Sequence, residues 1–353
     1  VTFLPRPALR ALGPELQPTN IGYSMNRRAA VRLALAVGLG AFSLQAASQA
    51  NGQAFPTQSV RFISPFGTGS GPDVVARLVG ERLSAAWKQS VIVDARPGAN
   101  GFIAATAVKQ AQPVGYDLLV ADVGHLAISP ALFKSMPYNP KTDFVPVGGL
   151  YRNAFFIVVS ANSRIRNVKD LIDAARANPG KVTYGSNSVG GPLHLGAAQV
   201  ELVTSTKMTH VPYKEISQLY AAVATGEIDW AMGSIASAGP LLRAGKVRMI
   251  AIADTTRSKT LPDVPTFDEA GGPKKIAVRS WVVLMAPRGL APQIASTINQ
   301  ALGEVLRQQD VVERFAGFGF EPYVIAPGGI ADLIESETVF YADMVRRTGA
   351  SAD

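Results

Sequence analysis

The chain contains no cysteine. Disulfides, thiol nucleophiles and cysteine-held zinc or iron–sulfur centres are therefore excluded. Histidine is nearly as scarce: His125, His194 and His210 are the only three, dispersed without metal-ligand spacing, so neither metal nor cofactor is expected. Catalytic motifs are also missing. Gly67-Thr68-Gly69-Ser70-Gly71 lacks the third glycine of a dinucleotide fingerprint at its required distance. Pro240 stands where a phosphate loop ending in Gly245-Lys246 needs its first glycine. No serine is flanked by glycine both two residues before and two residues after, as a nucleophile elbow demands. These absences speak against an enzyme.

Charge of one sign is thin as well. The formal charge of +8 is concentrated at the front, where residues 1–54 hold Arg6, Arg10, Arg27, Arg28 and Arg32 against Glu15 alone. Without them the 34 basic and 26 acidic residues become 29 and 25, a net charge of +4. No basic run with interleaved aromatics remains to track phosphates, so no nucleic-acid partner is expected. Beyond that front segment no stretch reaches the about 18 apolar residues of a membrane span, and the mature protein is expected to be soluble.

What is present is ample core material, with 47% hydrophobic residues in a chain of 353. That length exceeds what one core usually organises, and two domains are the first expectation. Met25-Asn26-Arg27-Arg28 opens a basic stretch ending at Arg32, followed by the apolar run Leu33–Leu44. Ser48-Gln49-Ala50 and Gly52-Gln53-Ala54 then offer peptidase sites. This is the pattern of a secretory signal peptide over residues 25 to 50 or 54, which implies export. Ala29-Ala30 after the paired arginines favours the general secretory route over the twin-arginine one. Residues 1–24, with Pro5, Pro7, Pro14 and Pro18, look like no export element. They are expected to precede a natural start at Met25.

From Phe55 onward short apolar runs alternate with amphipathic helical stretches. Val60–Pro65 reads as a strand and Pro72 to Trp87 as a helix, with Val74, Val75, Leu78, Val79 and Leu83 on one buried stripe. Strands follow at Val91–Asp94 and Leu118–Ala121 around a helix Phe102–Gln110. A second series runs through strands Phe155–Val159, Val182–Tyr184, Met208–Val211, Ile228–Met232 and Val247–Ala253. Its helices are Val168–Ala177, Leu193–Val203 and Ile216–Ala224. After Trp281–Met285, helices at Pro292–Gln308, Asp310–Phe315 and Gly329–Arg347 close the chain. Such alternation predicts an α/β protein of two doubly wound lobes with parallel sheets, the tail returning to the first lobe. The expected lobes are 55–153 plus 280–353, and 154–279, around a cleft.

Ligands of such sheets sit beyond the carboxyl ends of strands, where glycine-rich loops enter helices. Two loops fit: Phe66, Gly67, Thr68, Gly69, Ser70 through Asp73, and Tyr184–Pro192 with Ser186, Asn187, Ser188 and Gly190. Glycine lets a ligand approach the backbone, and the first helical turn offers unpaired N–H groups with partial positive charge. Together the loops could grip a carboxylate without any arginine. The alternative is that both are ordinary strand-to-helix turns. His125 is a cleft-lining candidate, and His194 either points at a ligand or supports the helix start. His210 lies within a strand and reads as structural. Asp229 is either a strand-edge residue or part of the site.

These residues resemble a known family. Pro65-Phe66 with Gly69, Asp73 and Val75-Ala76-Arg77-Leu78 is similar to the first binding loop of the tripartite tricarboxylate transporter substrate-binding family, the Bug proteins. The likeness continues in Arg96-Pro97-Gly98-Ala99-Asn100-Gly101, Gly115-Tyr116-Asp117-Leu118-Leu119 and Asp143-Phe144-Val145-Pro146-Val147. It goes on through Asp170-Leu171, Tyr184-Gly185-Ser186 with His194-Leu195, and Val211-Pro212-Tyr213-Lys214. Pro262-Asp263-Val264-Pro265-Thr266 and Glu269-Ala270-Gly271 complete it. The resemblance implies a type II periplasmic binding-protein fold that closes on a small carboxylate and delivers it to the membrane subunits of a tripartite carrier. A monomer is expected. In two places the chain departs from the pattern: Pro72 where threonine is common, and Glu215 where glycine is common. Glu215 either faces the cleft, disfavouring a second carboxylate, or is a solvent-facing first-turn residue. Two other readings stay open, a ligand-sensing partner of a membrane receptor kinase and a periplasmic enzyme acting on small acids.

Overall fold

The computed structural model describes residues 55–352 except Lys275, and the expected export segment lies outside the described residues. The chain enters β1 (Val60–Ser64) and then α1 (Gly71–Trp87). Proline in the first turn of α1 suits a position whose N–H has no intrahelical partner. The buried stripe is Val75, Ala76, Val79, Gly80 and Leu83, so the helix is turned slightly from the expected face and leaves Val74 and Leu78 half-buried. Next come β2 (Val91–Ala95), α2 (Phe102–Lys109) and β3 (Asp117–Asp122). A π-helical turn at Gly124–Ile128 runs into the short α3 (Ser129–Leu132). β4 (Phe144–Ala154) was not legible as a strand, because Pro146, Gly148 and Gly149 read as breakers. They are tolerated because the pairing of β4 is bulged there, which absorbs residues that a regular ladder rejects.

The second series comprises β5 (Phe156–Ser160), α4 (Val168–Ala177), β6 (Thr183–Ser186), α5 (Pro192–Thr204) and β7 (Thr209–Pro212). It continues through α6 (Ile216–Thr225), β8 (Trp230–Gly233), α7 (Ile235–Arg243) and β9 (Val247–Ile252). The chain returns through β10 (Arg279–Pro287), α8 (Pro292–Leu306), α9 (Gln309–Gly317), β11 (Glu321–Pro322) and α10 (Pro327–Thr348).

Among the described residues two sheets form, one ordered β11-β4-β10-β3-β1-β2 and the other β7-β6-β8-β5-β9. The α/β class is as expected, but the sheets are mixed rather than wholly parallel. β10 runs antiparallel to β3 and β4, and β5 runs antiparallel to β8 and β9. The reason is connectivity: β4 leads directly into the second sheet and β10 leads back, so entering and leaving strands must oppose one another. Where they pass, Phe155 N–H donates to the Val278 carbonyl at 3.2 Å. Val278 donates to Ala253, and Ala253 to Phe155, at 2.8 Å each.

This passage orients the rest. β4 ends at it, and β1 and β3 share the direction of β4. β5 starts at it, and β8 and β6 run against β5. The carboxyl ends of β1, β3, β6 and β8 therefore all lie at the edge where the two sheets approach. The second sheet has its own core around Trp230, Val158 and Leu219, and the first has one core on each face. α10 packs on α3 and β4 in the first lobe, and its last turn reaches α5. Among the described residues no helix is long and apolar enough to cross a membrane.

Candidate ligand-binding site

The first glycine-rich loop is held from within. Gly69, at φ +83°, donates its N–H to Asp73 Oδ2 at 2.8 Å, and Ser70 N–H donates to the Gly67 carbonyl at 3.1 Å. Asp73 is 1% exposed, and its two oxygens also take Arg77 Nε and a terminal nitrogen at 3.0 Å each. Asp73 thus shapes the loop and spends its charge on Arg77.

Ser70 occupies the position before α1 where a serine usually caps the helix, yet its side chain caps nothing. Its hydroxyl oxygen is buried and has no partner among the described residues. An unmet buried hydroxyl costs about 1–3 kcal/mol and calls for an explanation. Here it stands beside a helix start that carries partial positive charge. Pro72 offers no N–H to that turn, which leaves the hydroxyl and the remaining first-turn amides for an outside acceptor.

His125 supports this loop from the π-helical turn that follows β3. Its Nδ1 meets Asp122 Oδ1 at 2.5 Å, and its ring stands edge-on to Phe66 at 5.3 Å. Burial pushes the Asp122 carboxyl up, but His125 and the backbone N–H groups of His125 and Gly124 outweigh it and hold the carboxyl below its ordinary value.

The second loop is closed by a different device. The buried Ser186 hydroxyl donates to the Ser188 carbonyl at 2.9 Å and accepts from His210 Nε2 at 2.7 Å. Gly190 N–H donates to His194 Nδ1 at 2.8 Å, so this amide is not free for a ligand. The His194 and His210 rings stack at 4.0 Å. Asn187 and Ser188 are exposed. Gly190 abuts the first lobe, where a side chain at that position would begin 2.3 Å from Leu132 of α3. Both loops therefore abut one segment, 122–132: His125 against the first and Leu132 against the second.

Phe320 and its neighbour bound a further side. A side chain at Gly71 would begin 2.9 Å from the Phe320 ring, and one at Gly319 would begin 2.5 Å from Ile235. The start of α1 and the start of α7 thus converge on residues 319–320. α7 opens with a capping box of Ser234 and Ser237, which Pro240 within the helix hid from the sequence reading. Ser234, Phe320, Leu132 and the partnership of His210 with Ser186 are the neighbours that sequence reasoning missed. Only the Ser234-x-x-Ser237 spacing carried a signal for any of them.

The structure does not bring Asp229 to this edge. Asp229 stands at the amino end of β8, where its carboxylate accepts from Thr183 N–H at 2.8 Å and Thr183 Oγ1 at 3.0 Å. Thr183 begins β6, so this pair ties the far edge of the sheet. Asp229→Ala is expected to lower stability by about 1–3 kcal/mol, as for loss of hydrogen bonds to a charged group. Ligand affinity should stay within twofold, as chemical denaturation and calorimetric titration of the variant would read. Glu215 lies exposed immediately before α6.

A cavity of about 80 Å³ lies beside the passage, lined by Arg152, Asp254, Arg279 and Glu321. Ligand pockets run to about 300–1,000 Å³, so this space suits a few waters. Both guanidiniums are already paired, Arg279 with Asp254 and Arg152 with Glu321. Among the described residues no cluster of His, Asp or Glu could hold a metal ion.

Two α/β lobes joined by paired strands, with helix starts converging at their edge, define a two-lobed solute-binding protein. Residues 75–349 match the tripartite tricarboxylate transporter family receptor, TctC, and the chain belongs to that family. Protein BugT of Bordetella pertussis is 30% identical over 90% of this chain and 98% of its own length. Rpa4515 of R. palustris, solved with adipate, superposes with a TM-score of 0.76 at 30% identity, covering 84% of this chain and 99% of that one. MatC of Rhodopseudomonas palustris, solved with bound malate, gives 0.71 at 29% identity, over 82% and 100%.

Proposed function

We propose that the protein captures a small organic acid, a mono- or dicarboxylate, between its lobes and delivers it to the membrane subunits of a tripartite tricarboxylate-type transporter. The observation that carries the carboxylate is the buried, unpartnered Ser70 hydroxyl at the start of α1. Relatives solved with adipate and with malate support the ligand class. The reading takes the lobes as 55–153 plus 280–353 and 154–279, hinged at Phe155 and Val278, in an exported monomer that binds without catalysis. Of the site residues, Thr68, Ser70, Asn187 and Ser188 face the ligand, while Phe66, Gly67, Gly69, Asp73, His125, Ser186, Gly190 and His194 shape the loops.

A thermal-shift screen of aliphatic and aromatic mono-, di- and tricarboxylates tests this. A ligand at about 100 times its Kd stabilises by about 2.7 kcal/mol, which for a chain of this size is a rise of roughly 4 °C. Ser70→Ala should weaken binding of the best hit about 10- to 100-fold, the equivalent of one hydrogen bond to a charged group. A screen without a single carboxylate hit would end the proposal.

A further inference from the structure

The second loop is fastened by two imidazoles, and its bonding pattern fixes where their protons sit. Gly190 N–H can only donate, so His194 Nδ1 carries a lone pair and a neutral ring keeps its proton on Nε2. The Ser186 hydroxyl has one hydrogen, given to the Ser188 carbonyl, so it accepts from His210 Nε2–H. The two rings lie face to face at 4.0 Å with 18° between their planes. Two imidazolium ions at that distance repel, and a proton on His194 Nδ1 would face the Gly190 N–H donor to donor.

We propose that His194 and His210 are positioning residues of the second binding loop, which clasp it only while the His194 ring is neutral, so that acid opens the loop and releases the ligand. The proposal rests on the reading of that loop as half of the carboxylate site, and extends it to regulation.

The surroundings favour the neutral pair. Tyr184 of β6 stacks on both rings, at 6.2 Å from His194 and 5.2 Å from His210, with Trp230 of β8 behind it. Glu201 of α5 is the carboxylate nearest at hand, but it accepts from Tyr184 Oη at 3.2 Å and Met208 N–H at 2.6 Å, and burial pushes its carboxyl up. Lys207 stands near Glu201. Arg347 of α10 faces the rings across a cavity of about 520 Å³ and is paired with Asp343 at 3.6 Å. His194 also lies in the first turn of α5, whose positive end opposes a further charge. Burial, followed by repulsion from His210, brings His194 down from 6.5 to about 4, and burial lowers His210.

A histidine with a depressed value binds fewer protons in the closed loop than in the open one between pH 6.5 and about 4. The closed loop is therefore fully favoured above this window and loses ground as the pH falls through it.

Two substitutions separate the clasp from mere packing. In His194→Asn the amide oxygen replaces Nδ1 as acceptor but does not titrate, whereas His194→Leu removes the acceptor. The primary readout needs no ligand: hydrogen-exchange protection of the Gly190 amide, followed by NMR from pH 7 to pH 4.5. Wild type is expected to lose protection about tenfold or more over that range. The Asn variant should stay protected throughout and the Leu variant should be unprotected throughout. Adipate affinity, measured by calorimetry on the same three proteins, should follow the same order. Equal pH profiles for wild type and His194→Asn, or full protection in His194→Leu, would overturn the clasp. If adipate binds none of the three, the amide profile still decides the clasp, and the failure falls on the ligand reading alone.

Discussion

Asp73→Ala is expected to weaken binding of the best carboxylate from the thermal-shift screen by about 100-fold and to lower stability by about 2 kcal/mol, the order of one or two hydrogen bonds to a charged group. The carboxylate is buried at the base of the first loop, where it fixes Gly69 by its N–H and holds Arg77 at the same time. Without it the Gly69 amide has no acceptor, and the loop loses the contact that places Ser70 at the helix start. Arg77 is half-exposed and can return to water, so the lost ion pair itself contributes little. Asp73→Asn should recover part of both losses, because an amide oxygen can still accept from Gly69. Urea unfolding and calorimetric titration of the two variants separate these contributions. Equal binding by wild type and Asp73→Ala would show that the first loop does not depend on this bond.

Gly190→Leu should be the more damaging change. At φ +74° a side chain is strained by roughly 1–2 kcal/mol. It would also begin 2.3 Å from Leu132 Cδ1, and such overpacking typically costs about 1–3 kcal/mol more. The sequence suggested that a side chain here would fill space needed by the ligand. The geometry gives another cause, since the side chain drives the second loop away from α3 of the first lobe. Binding should fall below detection. Leu132→Ala in the same protein should restore part of the stability by clearing the contact, while leaving the backbone strain. A double-mutant cycle without coupling between positions 190 and 132 would contradict the contact.

Much of this architecture was legible because it is carried by local pattern. α4 was read at Val168–Ala177, where it lies, and its apolar residues Val168, Leu171, Ile172 and Ala175 form the buried stripe. Both loops were visible as glycine and hydroxyl residues between a strand and a proline-started helix. β4 was hidden because its tolerance of Pro146 and Gly149 depends on bulged pairing with a strand more than a hundred residues away. The antiparallel passage was hidden for the same reason. At the site, the hydroxyl residues could be named but not sorted. That Ser186 is engaged by His210, 24 residues distant, while Ser70 is buried without a partner, follows from packing between elements and from no local signal.

The central claim is that the carboxylate sits between the lobes at the start of α1. A crystal structure of the protein with the best carboxylate from the thermal-shift screen tests it most directly. The expected result places a carboxylate oxygen within hydrogen-bond distance of Ser70 Oγ, with the second loop against its other side. A carboxylate bound instead beside Arg152 and Arg279, or in the cavity facing Arg347, with Ser70 Oγ still unpartnered, would contradict the account.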